Sequence, residues 1–310
     1  LYLEREHIGM ECIETLDDMA ALKRKLLDAA RRAVVLNADD PRCLALATEF
    51  ASPVRTLLFS RDAQSSALRD HRARGGDVLY VDGEMIAWGL GAKTVSLLGA
   101  SEIPVTKDGL FWQHASNAMA AAGLAIGLDI DIETIREGLR RYGKEYPPAF
   151  SRLQIVDDLP VPILFDYAAS PPGFVSTTTT ISSIQIAGRR FCALTIAGNR
   201  PDWTFAESAA AIAGHFQRYV TYELPKYRRG RKAGEIAFRL ARALVAAGVD
   251  KSLISVVEGN EQAAQLIARE AKPDDFVVVF GSDSRQTIDY YRAAFAQRQS
   301  LANELSRAQA

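Results

Sequence analysis

Three sets of side chains in this sequence have the types and placing that chemistry needs. Asn37-Ala38-Asp39-Asp40 follows directly on the apolar run Val34-Val35-Leu36, which puts an amide and two carboxylates at the carboxyl end of a strand, where an open α/β sheet presents its polar groups. Asp166 closes the apolar run 161–165 in the same manner. The basic run of Lys226, Arg228, Arg229, Arg231 and Lys232 could meet an anionic substrate or a phosphate, although runs of this kind are more often solvated faces. Cations at such a position can stabilise the charge that develops on a transferring phosphoryl group.

Composition narrows the setting. The 310 residues suffice for two domains, and 48% of them are hydrophobic, as in an ordinary globular protein with a sizeable core. Lysine plus arginine (37) nearly balance aspartate plus glutamate (38), so the net field gives no argument for nucleic acid or an anionic membrane surface. Cys12, Cys43 and Cys192 form no C-x-x-C pair; they read as buried thiols of a reduced, cytoplasmic protein. No run of about 18 apolar residues occurs, so the sequence predicts no bilayer span. His71, His114 and His215 have no metal-ligand spacing among themselves, and Trp88, Trp112 and Trp203 read as packing residues.

The elements that must position these groups follow from periodicity. Apolar positions at Leu16, Met19, Ala20, the Lys23 stem, Leu26 and Leu27 predict an amphipathic helix over 16–30, with a buried strand at 33–36. A helix begins at Pro41, a strand covers 54–59, and strand-like runs with turn signals over 77–98 predict antiparallel pairing. A small-residue helix over 117–126 precedes an acidic-apolar helix from Asp131 to Leu139. Tyr146-Pro147-Pro148 favours extended backbone and suits a linker. Beyond it, strands at 161–165, 191–196, 219–222, 253–257 and 276–280 alternate with helices at 203–215, 233–247 and 260–270, the pattern of a parallel sheet covered on both faces. The expected organisation is α/β throughout: a first domain over 1–147, a Rossmann-like second domain over 148–296, and a frayed polar tail over 297–310.

The ordered motifs Glu6-His7-Ile8-Gly9, Thr15-Leu16-Asp17-Asp18-Met19-Ala20, Lys23 and Val35-Leu36-Asn37-Ala38-Asp39-Asp40 resemble the central domain of the Mur ligase superfamily. Within it they are most similar to the ligase half of the cyanophycin synthetases. Asn117-Ala118-Met119-Ala120-Ala121-Ala122, Ser151-Arg152-Leu153, Asp166-Tyr167-Ala168 and Arg229-Gly230-Arg231-Lys232-Ala233-Gly234-Glu235 continue the likeness into a Mur ligase C-terminal domain. The resemblance implies an ATP-dependent ligase that forms an acyl phosphate on a small-molecule or peptide-like carboxylate and then joins an amino acid to it, as in coupling arginine to an aspartate side chain. It further implies ATP and Mg2+ as cofactors, His7 as a metal ligand, and Lys23 as a catalytic lysine that is carbamylated. On the same likeness Asn117, Arg152 and Asp166 hold the nucleotide, while Arg200, Arg229 and Arg231 face the substrate. Asn117 has a second reading as a helix N-cap. Homo-oligomerisation is left open.

The sequence also departs from the family. No G-x-x-x-x-G-K-[ST] phosphate loop occurs, and Gly91-Ala92-Lys93-Thr94 reads as a turn between strands. The chain opens on Leu1-Tyr2-Leu3, so it reads as the later part of a ligase and is expected to be inactive alone. Where the family has D-Y-A-H-N-P this chain has Asp166-Tyr167-Ala168-Ala169-Ser170-Pro171, and where it has G-D-R-R-D this chain has Gly198-Asn199-Arg200-Pro201-Asp202. These substitutions leave two outcomes: altered substrate choice, or a noncatalytic Mur-like binding module. A dinucleotide-dependent oxidoreductase is disfavoured because no G-x-G-x-x-G follows a strand.

Overall fold

The computed structural model describes residues 8–9, 12–49, 54–145, 149, 151–168, 170–281 and 285–308. The chain divides into two compact units, Leu1–Pro148 and Ala149–Ala310, each with its own sheet.

The first unit opens with α1 (Leu16–Asp28), whose start is fixed by a capping box between Thr15 and Asp18. Then come β1 (Ala33–Asn37), α2 (Pro41–Glu49), β2 (Arg55–Ser60), α3 (Ser66–Ala73), β3 (Asp77–Asp82), β4 (Met85–Leu90) and β5 (Lys93–Gly99). The strands lie in sequence order, the first three parallel and the last two antiparallel. Leu90 pairs with Lys93, so Gly91-Ala92 is the two-residue turn of a hairpin, with Gly91 at φ +54° as such turns require. The near-miss phosphate loop is therefore this turn.

Helix α4 (Trp112–Gly127) crosses β1, β2 and β3, and α5 (Ile132–Arg141) packs beside it. Met119, Ala122, Ile126 and Ile135 close over Leu57, Phe59, Leu79 and Ile86. The approach is close because α4 carries small residues where it meets β1: a Cβ on Gly123 would lie 2.9 Å from Val35 Cγ1, and one on Gly127 2.3 Å from the Ala33 Cβ. On the opposite side Leu36, Leu58, Leu68 and Val78 form a second apolar layer.

The second unit contains β6 (Gln154–Val156), β7 (Ile163–Asp166), α6 (Pro171–Ser182), β8 (Arg190–Leu194), α7 (Asp202–Ile212), β9 (Arg218–Thr221), α8 (Glu235–Ala246), β10 (Ile254–Val256), α9 (Asn260–Glu270), β11 (Phe276–Phe280) and α10 (Arg285–Ala308). Its sheet runs β10-β9-β8-β11-β7-β6, parallel except for the β6 edge. Alternate residues of the buried strands serve different layers. Phe165, Phe191, Val277 and Val279 pack with Ala264 and Ile267 of α9 and Tyr291 and Phe295 of α10, whereas Phe280 meets Phe174 of α6 and Phe216. Because α6, α7 and α8 pack in series while α9 packs on α10, the connections change face on either side of β11. The carboxyl ends of β8, β11 and β7 thus form a topological switch point, where open α/β sheets bind ligands.

The structure corrects several expectations. Residues 171–182 are helical, although Pro171, Pro172 and four consecutive threonines argue against it; the prolines sit at the first turn, and the hydroxyls of Thr178, Thr179 and Thr180 donate to the carbonyls of Phe174, Val175 and Ser176 at 2.8–3.1 Å. The polar stretch from residue 297 is helical as far as Ala308, as the continuation of α10, with its last turns exposed. Leu26 is 71% exposed rather than on the buried face of α1, and Cys12 is exposed at φ +65°. None of the described helices is long and apolar enough to cross a membrane.

The packing of α4 gives a direct test. Gly127→Ala forces the helix away from Ala33 and is expected to destabilise the first unit by about 1–3 kcal/mol, whereas Gly138→Ala, with nothing within 4 Å of its added carbon, is expected to stabilise by about 0.5–1 kcal/mol. Urea unfolding of the two variants should shift in opposite directions.

Candidate functional site

At the carboxyl end of β7 the chain buries a carboxylate. Asp166 is 7% exposed, and its Oδ2 accepts the hydroxyl of Thr177 from α6. The backbone N–H groups of Leu153 and Ala168 interact with the same carboxylate, and the Arg152 guanidinium attracts it. Burial outweighs these contacts and pushes the Asp166 carboxyl above the usual carboxylate range. A raised folded-state value means that the stability Asp166 contributes is full below the unfolded value of about 4 and is lost as pH rises through the folded value. The ionised form of the carboxylate is thus held at a cost.

Arg152 stands on a strained turn. Ser151 and Leu153, on either side of it, adopt φ +52° and +49°, a region that costs a non-glycine residue about 1–2 kcal/mol. The Ser151 carbonyl accepts the Tyr167 N–H at 2.6 Å, and the Arg152 guanidinium lies 4.8 Å from the Tyr167 ring centre. Arg152 itself is exposed. On the neighbouring strand the Gly281 N–H donates to the Asp166 carbonyl at 3.0 Å, and a Cβ on Gly281 would lie 2.3 Å from the Thr195 carbonyl oxygen. The ends of β7, β11 and β8 are thereby drawn close together.

The basic loop is organised by Arg231. Its Nε donates to the Gly198 carbonyl at 2.6 Å, Nη1 pairs with Glu235 at 2.9 Å, and Nη2 reaches the Arg200 carbonyl at 3.2 Å and Asp202 at 2.9 Å. One guanidinium thus joins the 198–202 loop to the start of α8. Gly198 is required there because a Cβ would fall 2.0 Å from the Arg228 carbonyl oxygen. Glu223, 1% exposed at the end of β9, accepts Arg228 Nε at 2.5 Å. Arg229, at φ +44°, is exposed beside the Tyr227 ring, and Arg200 is half-buried with its N–H on the Ala197 carbonyl at 3.2 Å.

In the first unit the polar groups after β1 are spent on the turn itself. Asn37 Oδ1 accepts the Asp39 N–H at 3.0 Å, and Asp40 Oδ1 accepts the N–H groups of Arg42 and Cys43 at 2.8 and 3.2 Å, capping α2. Asp39 takes the Ser60 hydroxyl and the Arg61 N–H, and the Arg61 guanidinium lies 4.0 Å from the Trp112 ring centre. Burial, with Asp40 nearby, pushes the Cys43 thiol up to about 11. Asn117 is not an N-cap: α4 begins at Trp112, leaving Asn117 exposed in its second turn. Lys23 is exposed on α1. His7 lies outside the described residues.

Thus Arg152 and Asp166 come together within the second unit, and Arg200, Arg229 and Arg231 gather around its 198–202 and 229–235 loops. Thr177 and the strained pair Ser151 and Leu153 were missed, and the Thr177-to-Thr180 run held the single sequence signal. The described residues contain no group of three or more His, Cys, Asp or Glu side chains able to hold a metal.

Residues 151–283 match the family described as Mur ligase, glutamate ligase domain. The second unit is therefore built around such a domain, and the chain over nearly its whole length is similar to ligases of the Mur superfamily. A cyanophycin synthetase of Geminocystis herdmanii (strain PCC 6308) is 26% identical over 282 residues, covering 90% of this chain and 32% of that protein. A UDP-N-acetylmuramoyl-L-alanyl-D-glutamate–2,6-diaminopimelate ligase of Geobacter metallireducens is 28% identical over 324 residues, covering 97% and 58%. Among solved structures, E. coli FolC in complex with DHPP and ADP superposes with a TM-score of 0.63 at 16% identity, over 98% of this chain and 61% of that one. A pseudomurein peptide ligase type C from Methanothermus fervidus gives 0.61 at 16%, over 96% and 62%. These superpositions show the fold. The chain spans about a third of the length of the cyanophycin synthetases it matches.

The Arg231 geometry predicts that Arg231→Lys fails to replace it, since one ammonium cannot reach Gly198, Asp202 and Glu235 together. The variant is expected to lose about 2 kcal/mol or more, charge-assisted hydrogen bonds contributing roughly 1.5–3 kcal/mol each. Hydrogen exchange should quicken at residues 198–202 and 231–235 while the amides of β11 keep their protection.

Proposed function

We propose that this chain is the nucleotide- and amine-handling part of an ATP-dependent carboxylate–amine ligase of the Mur type. The reading rests above all on the turn at 151–153, which spends backbone strain to set an exposed arginine beside a buried carboxylate at the ligand edge of a glutamate ligase domain. The substrate carboxylate attacks the γ-phosphorus of ATP, releasing ADP and leaving an acyl phosphate. The amine then attacks the acyl carbon, phosphate departs with the bonding electrons, and the amine proton passes to solvent or base.

In this scheme Arg152 meets the nucleotide by charge-assisted hydrogen bonding. Asp166 supports the same site, and Asn117 is assigned to the nucleotide base through the resemblance alone. Arg200 and Arg229 face the anionic substrate, while Arg231 holds their loops in place. Lys23 is assigned to the reaction itself through the resemblance. The ADP bound to FolC and the cyanophycin synthetase relatives favour ATP with an amino acid as the joining amine, in the manner of arginine joined to an aspartate side chain. A second reading, a Mur-like module that binds without ligating, is favoured by the burial of the Asp166 carboxylate and by Ala169 in place of the family's histidine. ATP-dependent amide formation by the full-length protein separates the two.

Calorimetric titration of ADP into the 310-residue chain is expected to show saturable binding. Arg152→Ala should weaken it by about 10- to 100-fold, the loss of roughly 1.5–3 kcal/mol of charge-assisted bonding. Absence of binding, or an unaltered Kd in the variant, overturns the nucleotide assignment.

A further inference from the structure

Thr177 lies on α6, one turn after Gly173, and its hydroxyl has two acceptors in reach: the Asp166 carboxylate and the Gly173 carbonyl at 3.1 Å. A hydroxyl has a single hydrogen, so it serves one of them at a time. When Asp166 is ionised the hydrogen goes to the stronger acceptor, the carboxylate. When Asp166 is protonated the acid donates to Thr177 Oγ1, and the threonine hydrogen turns back to Gly173, as the neighbouring threonines of α6 do. The ionised arrangement also draws in the Leu153 and Ala168 N–H groups and attracts Arg152. Asp166 is 7% exposed, Thr177 is 1% exposed, and Ser151 at the start of the turn is fully buried, so bulk water does not compete for these contacts. Arg152 is the charged group acting on the carboxylate, and β11 brings Phe280 beside it.

The turn needs such a hold. Ser151 and Leu153 sit in the left-handed region without being glycine, and their conformations persist where the surroundings over-determine them. The Ser151 carbonyl is tied to the Tyr167 N–H at 2.6 Å, which fixes one side of the turn. On the other side the Leu153 N–H faces the Asp166 carboxylate and favours its charged form.

We propose that Thr177 is a positioning residue for Arg152: its hydroxyl orients the Asp166 carboxylate, the carboxylate holds the Leu153 N–H, and the strained turn then presents the Arg152 guanidinium across the Tyr167 ring to a phosphate-bearing ligand. The ligand part of this inference rests on the nucleotide reading above; the clamp itself does not. Thr177 touches no ligand in this scheme and acts through Asp166 and Arg152.

The test uses the full 310-residue chain with Thr177→Val, which keeps the branched shape and removes the hydroxyl, Thr177→Ser, which restores it, and each combined with Arg152→Ala. ADP is the probe in titration calorimetry, and the Leu153 amide proton shift is followed by NMR as pH is varied. Thr177→Val is expected to weaken ADP binding about tenfold, equivalent to about 1.4 kcal/mol. Thr177→Ser should stay within about twofold of the parent, and Thr177→Val should add nothing in the Arg152→Ala background. The Leu153 shift should follow the ionisation of Asp166 and move to higher pH in Thr177→Val, since a bond to the charged form has been lost. Additive effects of the two substitutions, or a Leu153 titration that Thr177→Val leaves in place, overturn the clamp. If the parent chain binds no ADP the nucleotide reading fails, and the Leu153 titration alone decides the clamp. Should Thr177→Val not fold, Thr177→Ala takes its place with the same two outcomes.

Discussion

The second unit depends on a carboxylate that has been taken out of water. Placing Asp166 in the last position of a strand whose other residues are wholly buried carries its side chain into the layer beneath α6, where solvent no longer stabilises the charge. The protein compensates with a threonine hydroxyl, two backbone N–H groups and the field of an exposed arginine. The compensating groups come from different pieces of chain: Thr177 tethers α6 to the end of β7, while the N–H groups of Leu153 in the 151–153 turn and of Ala168 in the following loop favour the charge. An apolar residue at 166 would be easier to bury and would organise none of these.

The same economy of donors recurs where the loops carry charge. Arg231 saturates two carbonyls and two carboxylates, and so converts a basic stretch that reads as a solvated face into the brace between the 198–202 loop and α8. The Arg200 carbonyl is thereby fixed by a guanidinium that is itself fully engaged. In the first unit the polar groups after β1 are consumed locally, with Asp40 capping α2 and Asn37 closing the turn. A dense cluster of polar residues after a strand can thus be architecture rather than chemistry, and the partners of each oxygen decide which.

What the sequence made legible follows from which forces act locally. The strands at 163–166, 190–194 and 276–280 announce themselves because burial on both faces demands unbroken apolar runs, and Asp166 stands out as the polar residue that ends one of them. Asn117 misled because its small-residue neighbours marked the core face of α4, while the helix start lay five residues earlier in an aromatic and polar stretch of little periodicity. Helix α6 was hidden by threonines, whose low helix propensity is offset by hydroxyl bonds to carbonyls one turn back. Beyond the Thr177-to-Thr180 run itself, the sequence carried no sign of the contact Thr177 makes or of the strain at Ser151 and Leu153. Both arise from contacts between segments brought together by the fold, and nothing in the composition of the turn, which lacks glycine, signals a left-handed backbone.

The central claim is that burial dominates the Asp166 environment in spite of its donors, so that the carboxylate is an organising charge held above its ordinary protonation range. Its most direct test is the carboxyl carbon NMR signal of Asp166 in the 310-residue chain, followed from pH 2 upward, roughly two units below the ordinary aspartate value near 4. The account predicts a midpoint clearly above that ordinary value. A midpoint at or below it would mean that Thr177, Arg152 and the backbone donors more than offset desolvation, and that account of the ligand edge would be contradicted.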